Sequence, residues 1–266
     1  MTSKVSIAVH GSAGRMGQAL LRQAGEREDV RVVAALVKPD SPLLAKPLSE
    51  VVGGDKHDVG FTYALGSASP DVLIDFSAAD AFDDALAIAV SRRIAFVSGT
   101  TGLAQEQRSA LARAAQTIPV LWSANFSIGV AVLTRLAREA AIELEDWDCE
   151  IVEAHHRNKK DVPSGTALAL GREIAAARDH NIDRVGRLAQ AGINDVRDTA
   201  TIGFAAVRGG DIVGEHTIIF AGDGERIELV HRATNRDIFA RGALTAAVWI
   251  AKQAPSLYSV GDMFAR

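Results

Sequence analysis

The sequence predicts an α/β protein in two parts: a doubly wound parallel sheet over residues 1–126, and a second α+β domain on an open sheet over residues 127–235. Three observations carry this. Short β-branched runs alternate with helical spacing from residue 4 to residue 122, the alternation stops after Asn125, and residues 200–234 read as consecutive strands. Strands separated by helices need crossover connections, so the first sheet is expected to be parallel and covered on both faces.

Taken in order, residues 4–10 form a β-branched run, and residues 11–29 switch to helical spacing with Met16, Leu20, Leu21 and Ala24 on one side. A buried strand over 30–37 ends at Lys38-Pro39-Asp40-Ser41-Pro42, where the prolines forbid regular structure. Residues 43–70 carry no decisive pattern. Strands at 71–76, 94–98 and 118–122 then alternate with helices at 79–93 and 105–116. Beyond Asn125 a helix over 128–144 leads to a strand at 149–154 and a helix at 164–178. The glycine turns Gly209-Gly210-Asp211 and Gly222-Asp223-Gly224 predict hairpins between the strands of 200–234. A last helix over 238–253 is placed to return to the first domain, so residues 236–266 join it and two linkers near 125 and 235 form a hinge.

Composition narrows the function classes. The 33 acidic against 29 basic residues give a net charge of −4, without the basic excess that nucleic-acid binding demands. No run approaches the about 18 apolar residues of a membrane span, and no signal segment precedes Gly11. Cys149 is the one cysteine, so no internal disulfide is available. A cytoplasmic protein with neither nucleic-acid nor membrane partners is expected.

Gly11-Ser12-Ala13-Gly14-Arg15-Met16-Gly17 is a G-x-x-G-x-x-G between a strand and a helix. Absent Cβ atoms there permit a tight turn and let a pyrophosphate reach amides at the positive helix end, and the place at the start of a βαβ pattern favours dinucleotide binding over a plain turn. Where an acidic residue would hold the ribose hydroxyls, the chain has Val37 and then Lys38. That lysine suits a 2′-phosphate or is solvated surface. Gly99-Thr100-Thr101-Gly102 and Ser123-Ala124-Asn125-Phe126-Ser127 follow two further strands at the carboxyl edge, where open α/β sheets bind ligands, although each is equally readable as a structural turn.

The densest polar segment is Glu153-Ala154-His155-His156-Arg157-Asn158-Lys159-Lys160-Asp161-Val162-Pro163-Ser164-Gly165-Thr166. It presents several cations between a strand and a helix, with Ser164 as helix cap and the amides of Gly165 and Thr166 open to an anion. The alternative is a solvated basic loop. His155 and His156 with Cys149 lack a recognised zinc spacing, so no metal is expected.

These segments, with Asn125-Phe126-Ser127-Ile128-Gly129, Arg208-Gly209-Gly210-Asp211 and His231-Arg232-Ala233, resemble the 4-hydroxy-tetrahydrodipicolinate reductase (dihydrodipicolinate reductase) family of bacterial lysine and diaminopimelate synthesis, in order over essentially the whole chain. The resemblance implies an NAD(P)H-dependent oxidoreductase acting on a small dicarboxylate, a Rossmann-type first domain, and a mixed-sheet second domain for substrate binding and tetramer formation. It implies His155 as catalytic histidine, Lys159 as proton donor, and His156, Gly165 and Thr166 as substrate binders. Gly11 to Met16, Gly99 to Thr101 and Ser123 to Phe126 would line the cofactor. Two departures stand out: Val37 replaces the acidic residue of many members, and Ser123-Ala124 replaces Ala-Pro.

Val37 with Lys38 therefore predicts NADPH used in preference to NADH. A homotetramer is expected through residues 200–234, because apolar period-2 positions such as Ile218 and Phe220 need cover. Two other functions share the glycine turn: an NAD(P)-binding regulator without turnover, which has no need of the cationic segment, and a semialdehyde dehydrogenase, for which Cys149 lies outside any nucleophile turn.

Overall fold

The computed structural model describes residues 4–53, 58–188, 196–198 and 200–264. The chain divides into two compact units, residues 1–127 with 237–266, and residues 128–236.

The first unit contains β1 (Val5–His10), α1 (Arg15–Gly25), β2 (Val30–Leu36), α2 (Leu48–Val52), β3 (Phe61–Thr62), β4 (Val72–Asp75), α3 (Phe82–Arg92), β5 (Ala95–Ser98), α4 (Gln105–Ala114) and β6 (Pro119–Trp122). The second contains α5 (Ile128–Glu143), β7 (Asp148–His155), α6 (Gly165–Ala177), α7 (Ile182–Val185), β8 (Gly186–Arg187), β9 (Ile202–Arg208), β10 (Gly214–Gly222) and β11 (Glu225–Ala233). The chain then returns to the first unit with α8 (Asp237–Ile250), β12 (Ser256–Tyr258) and a 3-10 turn, Gly261–Phe264. The unassigned stretch 43–70 supplies α2 and the two-residue β3, with residues 54–57 outside the described set.

The first sheet has the order β12-β6-β5-β4-β1-β2-β3, and every paired strand in it is parallel. Its central strands are continuous apolar runs because both faces are covered: β4 and β5 are buried at every residue. Leu73, Phe96 and Val120 pack with Phe82, Leu86 and Leu111 of α3 and α4 on one face, while α1 and α8 lie together against the other. Strand order reverses between β1 and β4, which creates a crevice at their carboxyl ends.

The second sheet is mixed, in the order β11-β10-β7-β9-β8. Burial alternates strictly along β7, and the inward Cys149 and Ile151 pack beneath Leu133 and Ala137 of α5 and Leu170 and Ile174 of α6. The turn at 222–224 closes the hairpin of β10 and β11, with Gly224 at φ +84°.

The turn at 209–211 makes no hairpin, contrary to the sequence expectation. β9 runs parallel to β7 (Cys149↔Ile202 to His155↔Arg208), whereas β10 pairs antiparallel on the other side of β7. The segment therefore wraps the end of β7: Gly209 N–H donates to the His155 carbonyl at 3.0 Å, and Arg157 N–H donates to the Gly210 carbonyl at 3.2 Å.

A second correction concerns Ile218 and Phe220. Both are 0% exposed within the unit, in the core beneath α5 and α6, and need no partner. The opposite face carries Val152, Thr217, Ile219 and Val230, all half-buried or exposed. Among the described residues no helix is long and apolar enough to cross a membrane.

Candidate active site

In the first unit, the strand ends bring the sequence-predicted turns to one edge. β1 turns at Gly11, whose φ is +76° and where an added Cβ would sit 2.7 Å from the Phe76 carbonyl oxygen, so glycine is required. An added Cβ on Gly17 would strike the Gly11 carbonyl, which fixes α1 tightly against this turn. Gly14 is the N-cap of α1, and it supplies no side-chain cap to the first helical amides. Ser12 is buried and donates to the Val9 carbonyl at 2.7 Å, whereas Ala13, Gly14 and Arg15 are exposed and Met16 is half-buried. An exposed, glycine-lined helix N-terminus free of its own cap fits a pyrophosphate. Val37 is buried and Lys38 exposed just beyond β2.

Gly99, Thr100 and Thr101 follow β5, and Ser123, Ala124, Asn125 and Phe126 follow β6. The Ser123 hydroxyl donates to the Asn125 carbonyl at 2.7 Å, and the Ser127 N–H donates to Asn125 Oδ1 at 2.8 Å. The end of β4, which lies between β1 and β5, delivers two residues to which the sequence alone assigned no role, Asp75 and Phe76. The Phe76 ring fills the space beside Gly99 and meets the Phe126 ring at 5.3 Å between centroids.

Asp75 is fully buried and organises this edge. It accepts from the hydroxyls of Ser77 at 2.6 Å, Ser98 at 2.9 Å and Thr100 at 2.7 Å, and lies 2.9 Å from His10 Nδ1. Burial alone would raise its pKa, but these hydrogen bonds outweigh it and hold the carboxyl below its ordinary value. An ionised carboxylate only accepts, so His10 Nδ1 carries the proton. One side chain thus ties together the ends of β1, β4 and β5.

In the second unit, the cationic segment leaves β7 and enters α6. Ser164 caps α6 as predicted, accepting from Ala167 N–H at 3.1 Å. His155 is 7% exposed, His156 and Thr166 are half-buried, and Gly165 is exposed at the helix start. Lys159 Nζ lies 2.9 Å from both Asp161 carboxylate oxygens, which lowers the Asp161 pKa. The loop therefore carries its own exposed counter-ion.

Beneath it is Glu153, 1% exposed. It accepts from the Ser164 N–H at 3.0 and 3.1 Å and from Arg208 Nη2 at 2.7 Å. Its Oε2 lies 3.6 Å from His155 Nδ1 and 3.8 Å from His216 Nε2. The two imidazoles meet edge to face at 5.2 Å, and His216 Nε2 is 3.2 Å from the Ser164 hydroxyl. Burial would raise the Glu153 pKa, yet Ser164 and Arg208 bring it below its ordinary value. Burial pushes His155 down despite the pull of Glu153, and pushes His216 down to about 4 with help from His155. Both rings are thereby neutral at pH 7.

Glu153, His155 and His216 each bring a ligand-type atom within 4.8 Å of the others. Glu153 is already bound by an amide and a guanidinium, and the positive charge of Arg208 beside it disfavours a cation, so Glu153 works as a hydrogen-bond hub for Ser164 and Arg208 with the two imidazoles beside it. Cys149 is buried in the core, its thiol pushed up to about 12, and can serve neither as metal ligand nor as nucleophile here.

Comparison with known proteins agrees along the whole chain. The family model described as "Dihydrodipicolinate reductase, N-terminus" matches residues 5–126, and "Dihydrodipicolinate reductase, C-terminus" matches residues 129–264. The 4-hydroxy-tetrahydrodipicolinate reductase of Stenotrophomonas maltophilia (strain R551-3) is 49% identical, covering 96% of this chain and 95% of that protein. The Xanthomonas campestris pv. campestris (strain B100) reductase is 46% identical over 98% of each. In fold, a dipicolinate-bound dihydrodipicolinate reductase from Paenisporosarcina sp. TG-14 superposes with a TM-score of 0.77 at 24% identity, covering 96% of this chain and 97% of that one. With two domain matches that together span nearly all of its length, the chain belongs to the dihydrodipicolinate reductase family.

Proposed function

We propose that the protein catalyses the NAD(P)H-dependent reduction of 4-hydroxy-tetrahydrodipicolinate to tetrahydrodipicolinate in diaminopimelate and lysine biosynthesis, in the cytoplasm. The observation that carries this reading is the cationic loop of residues 155–166, closed onto Glu153 and capped by Ser164, in a chain 49% identical to a reductase of that name. When bound, the nicotinamide supplies a hydride. Gly11 to Met16 would hold its pyrophosphate, Lys38 would face a 2′-phosphate, and Gly99 to Thr101 with Ser123 to Phe126 would line the rest of the cofactor.

The substrate is a dicarboxylate, and the dipicolinate held by the Paenisporosarcina neighbour is of the same chemical class. His156 and the amides of Gly165 and Thr166 hold its carboxylates. Lys159 Nζ donates the proton, with Asp161 as a counter-ion that a substrate carboxylate can displace because Asp161 is exposed. Neutral His155 orients the reacting end by hydrogen bonding, which makes Lys159 the better acid of the two.

NADPH is preferred over NADH only modestly, by about fivefold, because an exposed lysine–phosphate pair contributes only about 1 kcal/mol. The active form is a homotetramer assembled through the face of Val152, Thr217, Ile219 and Val230, which light scattering at micromolar concentration tests. Turnover is measured with NADPH and substrate made in situ from pyruvate and aspartate semialdehyde, following nicotinamide absorbance. Lys159→Met should lower kcat by about 10² to 10⁴ with NADPH affinity retained. Near-normal kcat in that variant means the proton comes from elsewhere.

A further inference from the structure

Building on this functional reading, we infer that Glu153 is a positioning residue: its hydrogen bonds fix the first turn of α6, and its charge, 3.6 Å from His155 Nδ1, sets the field at that ring for reduction. The geometry carries it. A single buried carboxylate, fully enclosed between β7, β9 and the start of α6, takes the Ser164 amide on both oxygens and faces His155 Nδ1 at 3.6 Å. The Ser164 amide immediately precedes Gly165 and Thr166, so Glu153 fixes the turn that carries the two amides assigned to the substrate and stands beside the imidazole. Arg208 supplies the compensating charge from β9 and also donates to the Asp161 carbonyl at 2.8 Å, so the loop's far end is tied to the same hub.

The ring has little room to move. An added Cβ on Gly214 would lie 3.1 Å from His155 Nε2, and the His216 ring closes another side. The charged and titratable groups around His155 are Glu153 on its own strand, Arg208 on β9, His216 on β10, and Lys159 and Asp161 in the loop. Glu153 and Asp161 favour its protonated form, while Lys159 and Arg208 oppose it. Removing Glu153 and removing Arg208 must therefore move His155 in opposite directions if the hub is real.

The test uses the full chain with labelled imidazoles, the His155 resonance being assigned by its loss in His155→Gln. Glu153→Gln should shift the His155 titration to lower pH and cut kcat/KM by about 10², the usual cost of a small misplacement at a reacting centre, with dinucleotide affinity by calorimetry unchanged. Arg208→Met should shift the titration to higher pH. Wild-type kcat/KM in a folded Glu153→Gln protein overturns the proposal, as does lost activity with His155 unmoved in both variants. If Glu153→Gln does not fold, the Arg208→Met titration decides: an unmoved His155 overturns it. Wild-type protein that binds NADPH but does not reduce the substrate defeats the functional reading instead, and the two titrations still judge Glu153.

Discussion

Asp75 in the first unit and Glu153 in the second are both buried carboxylates at the carboxyl ends of strands, each gripping a turn, yet they are satisfied differently. Asp75 is ringed by three hydroxyls and one imidazole. Glu153 takes one amide and one guanidinium, and two more imidazoles stand near it beyond hydrogen-bonding distance. The three hydroxyls and His10 all lie within hydrogen-bonding distance of Asp75, so this hub is a closed set of bonds that stiffens the strand ends. Glu153 instead acts on His155 and His216 through its field alone, so it bears on their charge without bonding them.

The contrast is broken most severely at Asp75. Asp75→Asn puts an amide nitrogen where only acceptors are wanted, leaving at least one buried donor facing another. A loss of about 3 kcal/mol is expected, seen by calorimetry as a Tm fall of about 10 °C. A wild-type Tm would mean that the hydroxyls reverse freely and the hub holds nothing.

The titrating character of the second hub is tested next through His216. Its pKa drops from 6.5 unfolded to about 4 folded, so the unfolded chain binds more protons between those values. Stability is whole above pH 6.5 and is lost as the pH falls towards 4. From pH 7.5 to 5 this group alone should cost about 2 kcal/mol. His216→Gln should flatten that part of the Tm-against-pH curve, whereas Asp75→Asn should leave its slope unchanged.

Gly214→Ala probes the space around His155. The new Cβ at 3.1 Å from Nε2 forces the ring to yield by tenths of an ångström, and kcat should fall about tenfold with the fold intact by circular dichroism. The smallest effect is expected at the exposed end of the first unit's site. Lys38→Ala should reduce the NADPH-over-NADH ratio of kcat/KM by about fivefold, since a solvated charge pair is worth about 1 kcal/mol or less.

The first unit's sheet was legible because strands buried on both faces spell continuous apolar runs, as in Val72 to Asp75 and Ala95 to Ser98. β3 and β12, of two and three residues, are too short for any period to register. The turn at 209–211 misled because a glycine turn reports only that the chain reverses, while the choice of partner belongs to β7, more than fifty residues away. The cationic segment was legible as a block, and Ser164 as its cap. Asp75 and Glu153 carried a signal that was not used: an acidic residue inside a buried run, or on the same alternation as Cys149 and Ile151, must find donors somewhere. Which donors they find, His10 and Thr100 or Arg208 and Ser164, is decided by pairing across strands, and local sequence is silent on that.

The return of the chain after Arg236 bears on how the protein is made. Residues 128–236 are one continuous run, and their whole sheet and both covering helices exist once that run has left the ribosome. The first unit emerges earlier but lacks α8, which packs on α1 and four of its strands, and β12, which closes the β6 edge. For an interval on the order of ten seconds at ordinary synthesis rates, the dinucleotide half exists with the part of one sheet face that α8 covers still bare and one edge open. The half begun first is thus finished last, which makes it the part of the nascent chain most in need of a chaperone and makes loss of the final thirty or so residues a lesion of the cofactor end of the enzyme.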